Sequence, residues 1–276
     1  MRIENNYNLL LHNTMRLNSI AKEFYLPETI SEFCELCNKL KDKYILSGGS
    51  NVLLPPEVET PVISMMNLNN ELSMRNGEIY VGCSVRIQKL INFCKENEVG
   101  GIEYLYSVPS SVGGAVVMNA GRGRKYKKSI SDFITKVQCF DGEKVIELLP
   151  AECQFSYRTS VFQKRDWIVL GAVFKFPYQS SEETAKKIQE RLEYSKKFLS
   201  ADKPSCGSVF NKVSPIGIRL LKGVRVRGAA YSKKTPNWIS NVDNASYSDV
   251  LKLIKYGRIV SRLFFVAPHL EIKIWK

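Results

Sequence analysis

Ser47-Gly48-Gly49-Ser50-Asn51 and, further along, Ser107-Val108-Pro109-Ser110-Ser111-Val112-Gly113-Gly114-Ala115-Val116-Val117-Met118-Asn119-Ala120-Gly121 decide how this chain reads. Both are built from glycines, small hydroxyl residues and asparagine, and each follows or interrupts an apolar segment. Glycine lets a backbone approach a ligand closely, and successive N–H groups can converge on negative charge. Either stretch alone reads as a turn. Two glycine-rich loops in one chain point to a large phosphate-bearing cofactor held between two surfaces.

The surroundings of the first loop read as strand, helix, strand, loop. Phe24-Tyr25-Leu26 leads to a helical pattern over 30–40, with Ile30, Phe33, Cys34, Cys37 and Leu40 on one face, and Tyr44-Ile45-Leu46 runs into Ser47. This is a βαβ-like unit without the GxGxxG spacing of a dinucleotide-binding Rossmann unit. Ahead of the second loop come a strand at Ile79-Tyr80-Val81-Gly82-Cys83 and a helix over 85–97, ended by Gly100-Gly101. Alternating segments at 136–140 and 167–176 predict antiparallel strands. A charged helical stretch over 180–197 marks a boundary near residue 180. Ser246-Tyr247-Ser248-Asp249 is a capping signal ahead of Val250, Leu253 and Ile254, and a last strand is expected over 270–274.

A length of 276 residues with 44% hydrophobic and 24% charged content belongs to a globular chain that can bury a core. No apolar run is long enough to span a bilayer and the first residues hold no apolar signal segment, so a cytoplasmic location without a membrane partner is expected. The net charge of +13 favours acidic partners, and its densest run is Arg122-Gly123-Arg124-Lys125-Tyr126-Lys127-Lys128. A solvated basic loop is the commoner explanation of such a run. No nucleic-acid-binding motif accompanies it. Seven cysteines show no disulfide spacing, and the lone Cys34-Glu35-Leu36-Cys37 lies mid-helix, where packing explains it better than metal or redox chemistry. With only His12 and His269 available, histidine-based hydrolysis and a multi-histidine metal site are poor readings, and no metal is expected.

Six motifs in order resemble the UDP-N-acetylenolpyruvoylglucosamine reductases (UDP-N-acetylmuramate dehydrogenases), in their compact subtype. They are 47–53; Gly101-Ile102-Glu103 through Pro109; Val112-Gly113-Gly114-Ala115 with Met118-Asn119-Ala120-Gly121; Phe155-Ser156-Tyr157-Arg158-Thr159-Ser160-Val161-Phe162; Pro204 through Phe210; and Ser232 through Trp238. Thr14 and Arg16 match the family's N-terminal segment. The resemblance implies an α+β fold: an FAD-binding unit (PCMH/vanillyl-alcohol-oxidase-like) over 1–180, in two subdomains of about 1–56 and 57–180, then a smaller α+β substrate-binding domain over 181–276.

It also implies the chemistry. Members reduce the enolpyruvyl group of a UDP-sugar with hydride from NADPH, by way of FAD, for peptidoglycan synthesis. By position, Arg158 matches the arginine at the substrate carboxylate, Ser208 the proton donor and Glu271 the assisting acid. Read alone, these are a surface arginine, a turn serine and a solvated strand carboxylate. Ser47, Gly48, Gly49, Ser50 and Asn51 correspond to pyrophosphate contacts, and Val112, Gly113, Gly114 and Asn119 to further FAD contacts. Tyr157, Lys212 and Asn237 are substrate candidates. Cys206, two residues before Ser208, competes with it as a chemical group only if its thiol is acidified. The implied partner is a small sugar nucleotide, with no nucleic acid, and the expected state is a monomer. Ser110, Arg122 and Arg124 depart from the family pattern. They leave open a reductase for another sugar nucleotide or enol ether, and a non-catalytic binder of an acidic ligand.

Overall fold

The strand Tyr44–Leu46 does run straight into the first glycine segment, but its neighbour in the sheet is not the strand that precedes it in the chain. In the computed structural model, which describes residues 1–121, 128–199 and 202–276, Val62–Ser64 lies between Tyr44–Leu46 and Ile20–Leu26. Both pairings are parallel, with Ile45 opposite Ile63 and Tyr25 also opposite Ile63. The crossover helix Ile30–Lys39 starts where the Thr29 hydroxyl accepts from Glu32 N, and Lys43 Nζ donates to the carbonyls of Cys37 and Leu40 at its other end. Phe33, Leu36 and Cys37 face inward and pack with Ile63, Met65, Phe140 and Leu170. Burying one such side chain contributes on the order of 2 kcal/mol.

The chain divides into two units. One gathers Met1–Glu4, Phe24–Gly48 and Pro61–Leu192, the other Asn5–Glu23, Gly49–Thr60 and Glu193–Lys276. The division therefore falls inside the first glycine segment. It also falls inside the helix Ser181–Phe198, which was expected to open a second domain at residue 181. Two N-terminal segments group with the last third of the chain, which no linear boundary could express.

The first unit carries a five-stranded antiparallel sheet as well. Ile168–Phe174 is its centre, flanked by Ile134–Phe140 and Glu78–Gly82, as the alternating patterns predict. The helix Ile87–Glu96 buries Ile87, Leu90, Ile91 and Cys94 against this sheet's core.

The second unit is built on the antiparallel order Ser205–Ser208, Trp238–Asn241, Ala229–Tyr231, Arg225–Val226. The helix Tyr247–Leu263 covers its core, started by the expected capping box of Ser246 and Asp249. The single strand expected over 270–274 is instead two short ones. His269–Leu270 pairs with Phe210–Lys212, and Lys273–Ile274 pairs in parallel with Val52–Leu53. The chain bends between them because the N–H groups of Glu271 and Ile272 both turn to the carbonyl of Val209. Among the described residues, no helix is long and apolar enough to cross a membrane.

Candidate active site

The two glycine segments are constructed differently. Gly49 has φ +62, and a Cβ there would lie 1.9 Å from the His12 carbonyl oxygen, so no other residue fits. Thr14 N donates to Gly49 O, which fastens the loop to the N-terminal segment that carries Thr14 and Arg16. The second segment, read as a loop, contains the short helix Val112–Val117. Ser111 caps it by accepting from Gly114 N at 3.3 Å. Gly113 serves close packing there: a Cβ would sit 2.9 Å from Cys83 Cβ. Val112 N and Gly113 N donate to the carbonyls of Val85 and Cys83, so these amides are spent inside the protein.

What the segments offer a ligand is a group of hydroxyls. Ser47 Oγ and Ser111 Oγ are 2.5 Å apart. A Cβ on Gly114 would lie 3.3, 3.6 and 3.9 Å from the hydroxyls of Ser110, Ser111 and Ser47, so the bare glycine keeps this cluster, of which Ser110 and Ser111 are buried and Ser47 half-buried, uncrowded. A Cβ on Gly48 would lie 3.4 Å from the guanidinium of Arg86, a cation that no sequence motif had marked. Hydroxyls beside an arginine are a donor set suited to a diphosphate. The residues present therefore fit the pyrophosphate of a flavin dinucleotide. Ser110, a departure from the family pattern, is part of the cluster.

The same unit holds a cavity of about 370 Å³ bordered by Asn119, Gly121, Tyr157 and Arg158, with Ser129, Ser131 and Asp132 among its other walls. Arg158 adopts φ +56 and its Nη2 donates to Gly121 O at 2.9 Å. Its guanidinium also stands 5.9 Å from the ring centre of half-exposed Tyr157. Asn119, at φ +42, is buried; its Nδ2 donates to Ser156 O and its Oδ1 accepts from Ser131 N. The structure thus brings Arg158, Tyr157 and Asn119 to one cavity. The polar walls were missed because serine and aspartate at 129–132 are ordinary capping residues in sequence, and they cap a 3-10 turn here as well. Of the basic run, 122–127 lies outside the described residues, while Lys128 borders the cavity.

In the second unit, Ser208 and Glu271 come together through the backbone. Ser208 ends the strand Ser205–Ser208 after Gly207, whose φ is +72, and the next residue's carbonyl accepts the N–H of Glu271 at 2.9 Å. Asn51 Nδ2 donates to Glu271 O at 3.1 Å, and Asn51 O accepts from Lys273 N. An expected cofactor residue therefore holds an expected catalytic one. Asn237 pairs both ends of its amide with the backbone of Phe210, at 3.1 and 2.7 Å, which fixes the chain just beyond Ser208. A free amide for substrate is not what it presents. Lys212 is exposed and stands opposite His269 in the short sheet. Ser50 is half-buried beside Asn51.

Burial removes the cysteine alternatives. Cys206 is buried and its thiol is pushed up to about 12, chiefly by desolvation and further by the charge of nearby Glu271. Cys37 is raised to about 12 by the same cause, in keeping with a packed side chain. Neither forms a thiolate near neutrality.

Residues 26–146 match the family described as "FAD binding domain". The chain is 34% identical to the UDP-N-acetylenolpyruvoylglucosamine reductase of Pseudothermotoga lettingae, over 97% of this chain and 95% of that one. It is 32% identical to the reductase of the same name from Fervidobacterium nodosum, over 98% and 91%. The crystal structure of UDP-N-acetylenolpyruvylglucosamine reductase from Thermus caldophilus superposes with a TM-score of 0.84 at 26% identity, covering 100% of both chains. A flavin-type serine and glycine cradle, an arginine cavity and a serine–glutamate bridge thus sit on a chain matched from end to end, and the chain belongs to the UDP-N-acetylenolpyruvoylglucosamine reductase family.

Proposed function

We propose that this chain is an FAD-dependent reductase that converts UDP-N-acetylglucosamine enolpyruvate to UDP-N-acetylmuramate, a peptidoglycan precursor, at the expense of NADPH. The observation that carries this reading is identity of 34% over 97% of the chain to a reductase of that name. The cytoplasm, which supplies NADPH and soluble sugar nucleotides, is the place of work, and a monomer is the working form. The first two-thirds of the chain form the FAD-binding domain and the last third the substrate-binding domain, with Tyr157 and Arg158 of the former also meeting the substrate.

When bound, FAD supplies two-electron hydride transfer from NADPH to the substrate double bond. Ser47, Gly48, Gly49, Ser50 and Asn51, with Arg86 and Ser111, would hold its diphosphate; Val112, Gly113, Gly114 and Asn119 would shape the rest of its seat. Reduction of a vinyl ether next to a carboxylate puts negative charge on the α-carbon and the carboxylate. Arg158 meets that charge with a planar fork, held in place by Gly121 O. Ser208 delivers a proton to the α-carbon. A serine hydroxyl is a weak acid, but an enolate carbon is basic enough to take its proton where the two are held in line. Glu271, acting as an acid, donates toward the enol oxygen and keeps charge from building there. Tyr157 and Lys212 contribute to substrate contact, and Asn237 keeps the Ser208 strand in register.

The purified protein should be yellow, and it should oxidise NADPH in proportion to added enolpyruvyl sugar nucleotide. A colourless protein, or NADPH oxidation indifferent to that nucleotide, contradicts the proposal.

A further inference from the structure

The helix Tyr247–Leu263 has two apolar faces. Val250, Leu253, Ile254, Gly257 and Ser261 face the core and are buried. Tyr256, Ile259 and Leu263, spaced three and four residues apart on the opposite side, are all exposed, Leu263 at 70%. One inward stripe is enough to hold such a helix to its sheet. The outward stripe is not part of the unit's buried core.

The outward stripe continues past the helix end. Phe265 is 98% exposed and has φ +57, a left-handed conformation that costs a phenylalanine strain and a glycine none. Its ring recovers nothing from packing. Against the same helix lies Pro215–Leu220, where Gly217 allows close approach: a Cβ there would be 2.9 Å from Val260 O. Ile216 and Leu220, one helical turn apart, are likewise exposed.

The exposed charges on these two helices have one sign. Lys252, Lys255, Arg258 and Arg262 are exposed along the helix, and Arg219 and Lys222 are exposed on and just after the shorter one. The only acidic residue in Tyr247–Leu263 is Asp249, which is buried and engaged in the capping box. A second copy docked face to face would set these cations against their own duplicates. Protruding apolar side chains among lysines and arginines suit a surface that is anionic at its polar boundary and apolar just beneath.

We propose that this face of the second unit docks on a bilayer surface carrying anionic phospholipids, with Phe265 and Leu263 entering the headgroup boundary and the four helix cations meeting the lipid phosphates. This departs from the expectation of no membrane partner and is independent of the reaction proposed above. It would hold the enzyme at the membrane without a spanning segment.

Co-sedimentation of the full-length, flavin-loaded protein with vesicles tests it. Phosphatidylcholine vesicles containing phosphatidylglycerol should bind the protein at low salt and release it as salt rises, and vesicles of phosphatidylcholine alone should not bind it. Phe265→Gly, which removes the strain and so folds at least as well, should weaken binding about tenfold while leaving turnover of the soluble substrate unchanged. Arg258→Gln with Arg262→Gln should weaken it by about tenfold to thirtyfold. Absence of binding to the anionic vesicles, equal binding to neutral ones, or indifference to Phe265→Gly overturns the proposal. So does a dimer in sedimentation velocity that Phe265→Gly dissociates, or capture of an acidic protein or nucleic acid without vesicle binding.

Discussion

The two glycine segments look alike as sequence and differ as structure. In Ser47–Asn51 the glycine is required by the backbone: Gly49 is left-handed and presses on the carbonyl of His12. In Ser107–Gly121, Gly113 and Gly114 lie in a short helix with ordinary backbone angles, and their small size lets that helix lie against Cys83 and leaves the hydroxyls of Ser47, Ser110 and Ser111 uncrowded. Glycine thus serves conformation in one segment and proximity in the other. Substitution effects should differ in kind and size.

The largest effect is expected at Gly49. Gly49→Ala combines left-handed strain with overlap of backbone atoms that cannot rotate away, and should cost on the order of 3 kcal/mol or more. Denaturant melts would read this, together with loss of bound flavin. A variant of near-native stability would show that the His12 contact is not fixed. Gly113→Ala should cost less, about 1–2 kcal/mol, because overpacking against Cys83 is partly offset by better helix propensity. If Gly113→Ala costs as much as Gly49→Ala, the contrast fails. Gly114→Ala meets only a serine hydroxyl that can turn, so its stability should change by less than about 1 kcal/mol. Its effect should appear in flavin retention instead, because the methyl group intrudes on the serine cluster.

The smallest effect concerns pH. Burial lowers the pKa of His12 from the ordinary 6.5, so the folded protein resists a proton that the unfolded chain accepts. The resulting stability is present above about pH 6.5 and declines as pH falls below it. Melting temperatures at pH 7.5 and 5.5 should fall further for the native protein than for His12→Gln. Equal falls would remove His12 from the account of the first loop.

Much of this was legible in the residues. Periodicity gave the helices near 30, 87, 181 and 247, and the alternating segments gave the central antiparallel strands. The motif order gave the family. What stayed hidden depends on approaches between distant segments. Nothing in the sequence near Gly113 says that its N–H will be taken by Cys83 O, and nothing near Arg86 says that it will lie beside Gly48. The bend at Glu271 follows from two N–H groups competing for Val209 O, a choice that strand alternation cannot express. Asn237 shows the same limit: its residue type suits a ligand contact, but the fold spends it on Phe210.

In the proposed reaction Ser208, held beside Glu271 by the bridge through Val209, supplies the proton that completes reduction of the enolpyruvyl group. The most direct measurement is substrate-dependent NADPH oxidation by Ser208→Ala at saturating substrate, with flavin content and melting temperature matched to the native protein. The expected result is a turnover number lower by about 10²–10⁴ with little change in KM. Turnover within about threefold of the native enzyme, below any effect expected from losing a general acid, would contradict the role of Ser208.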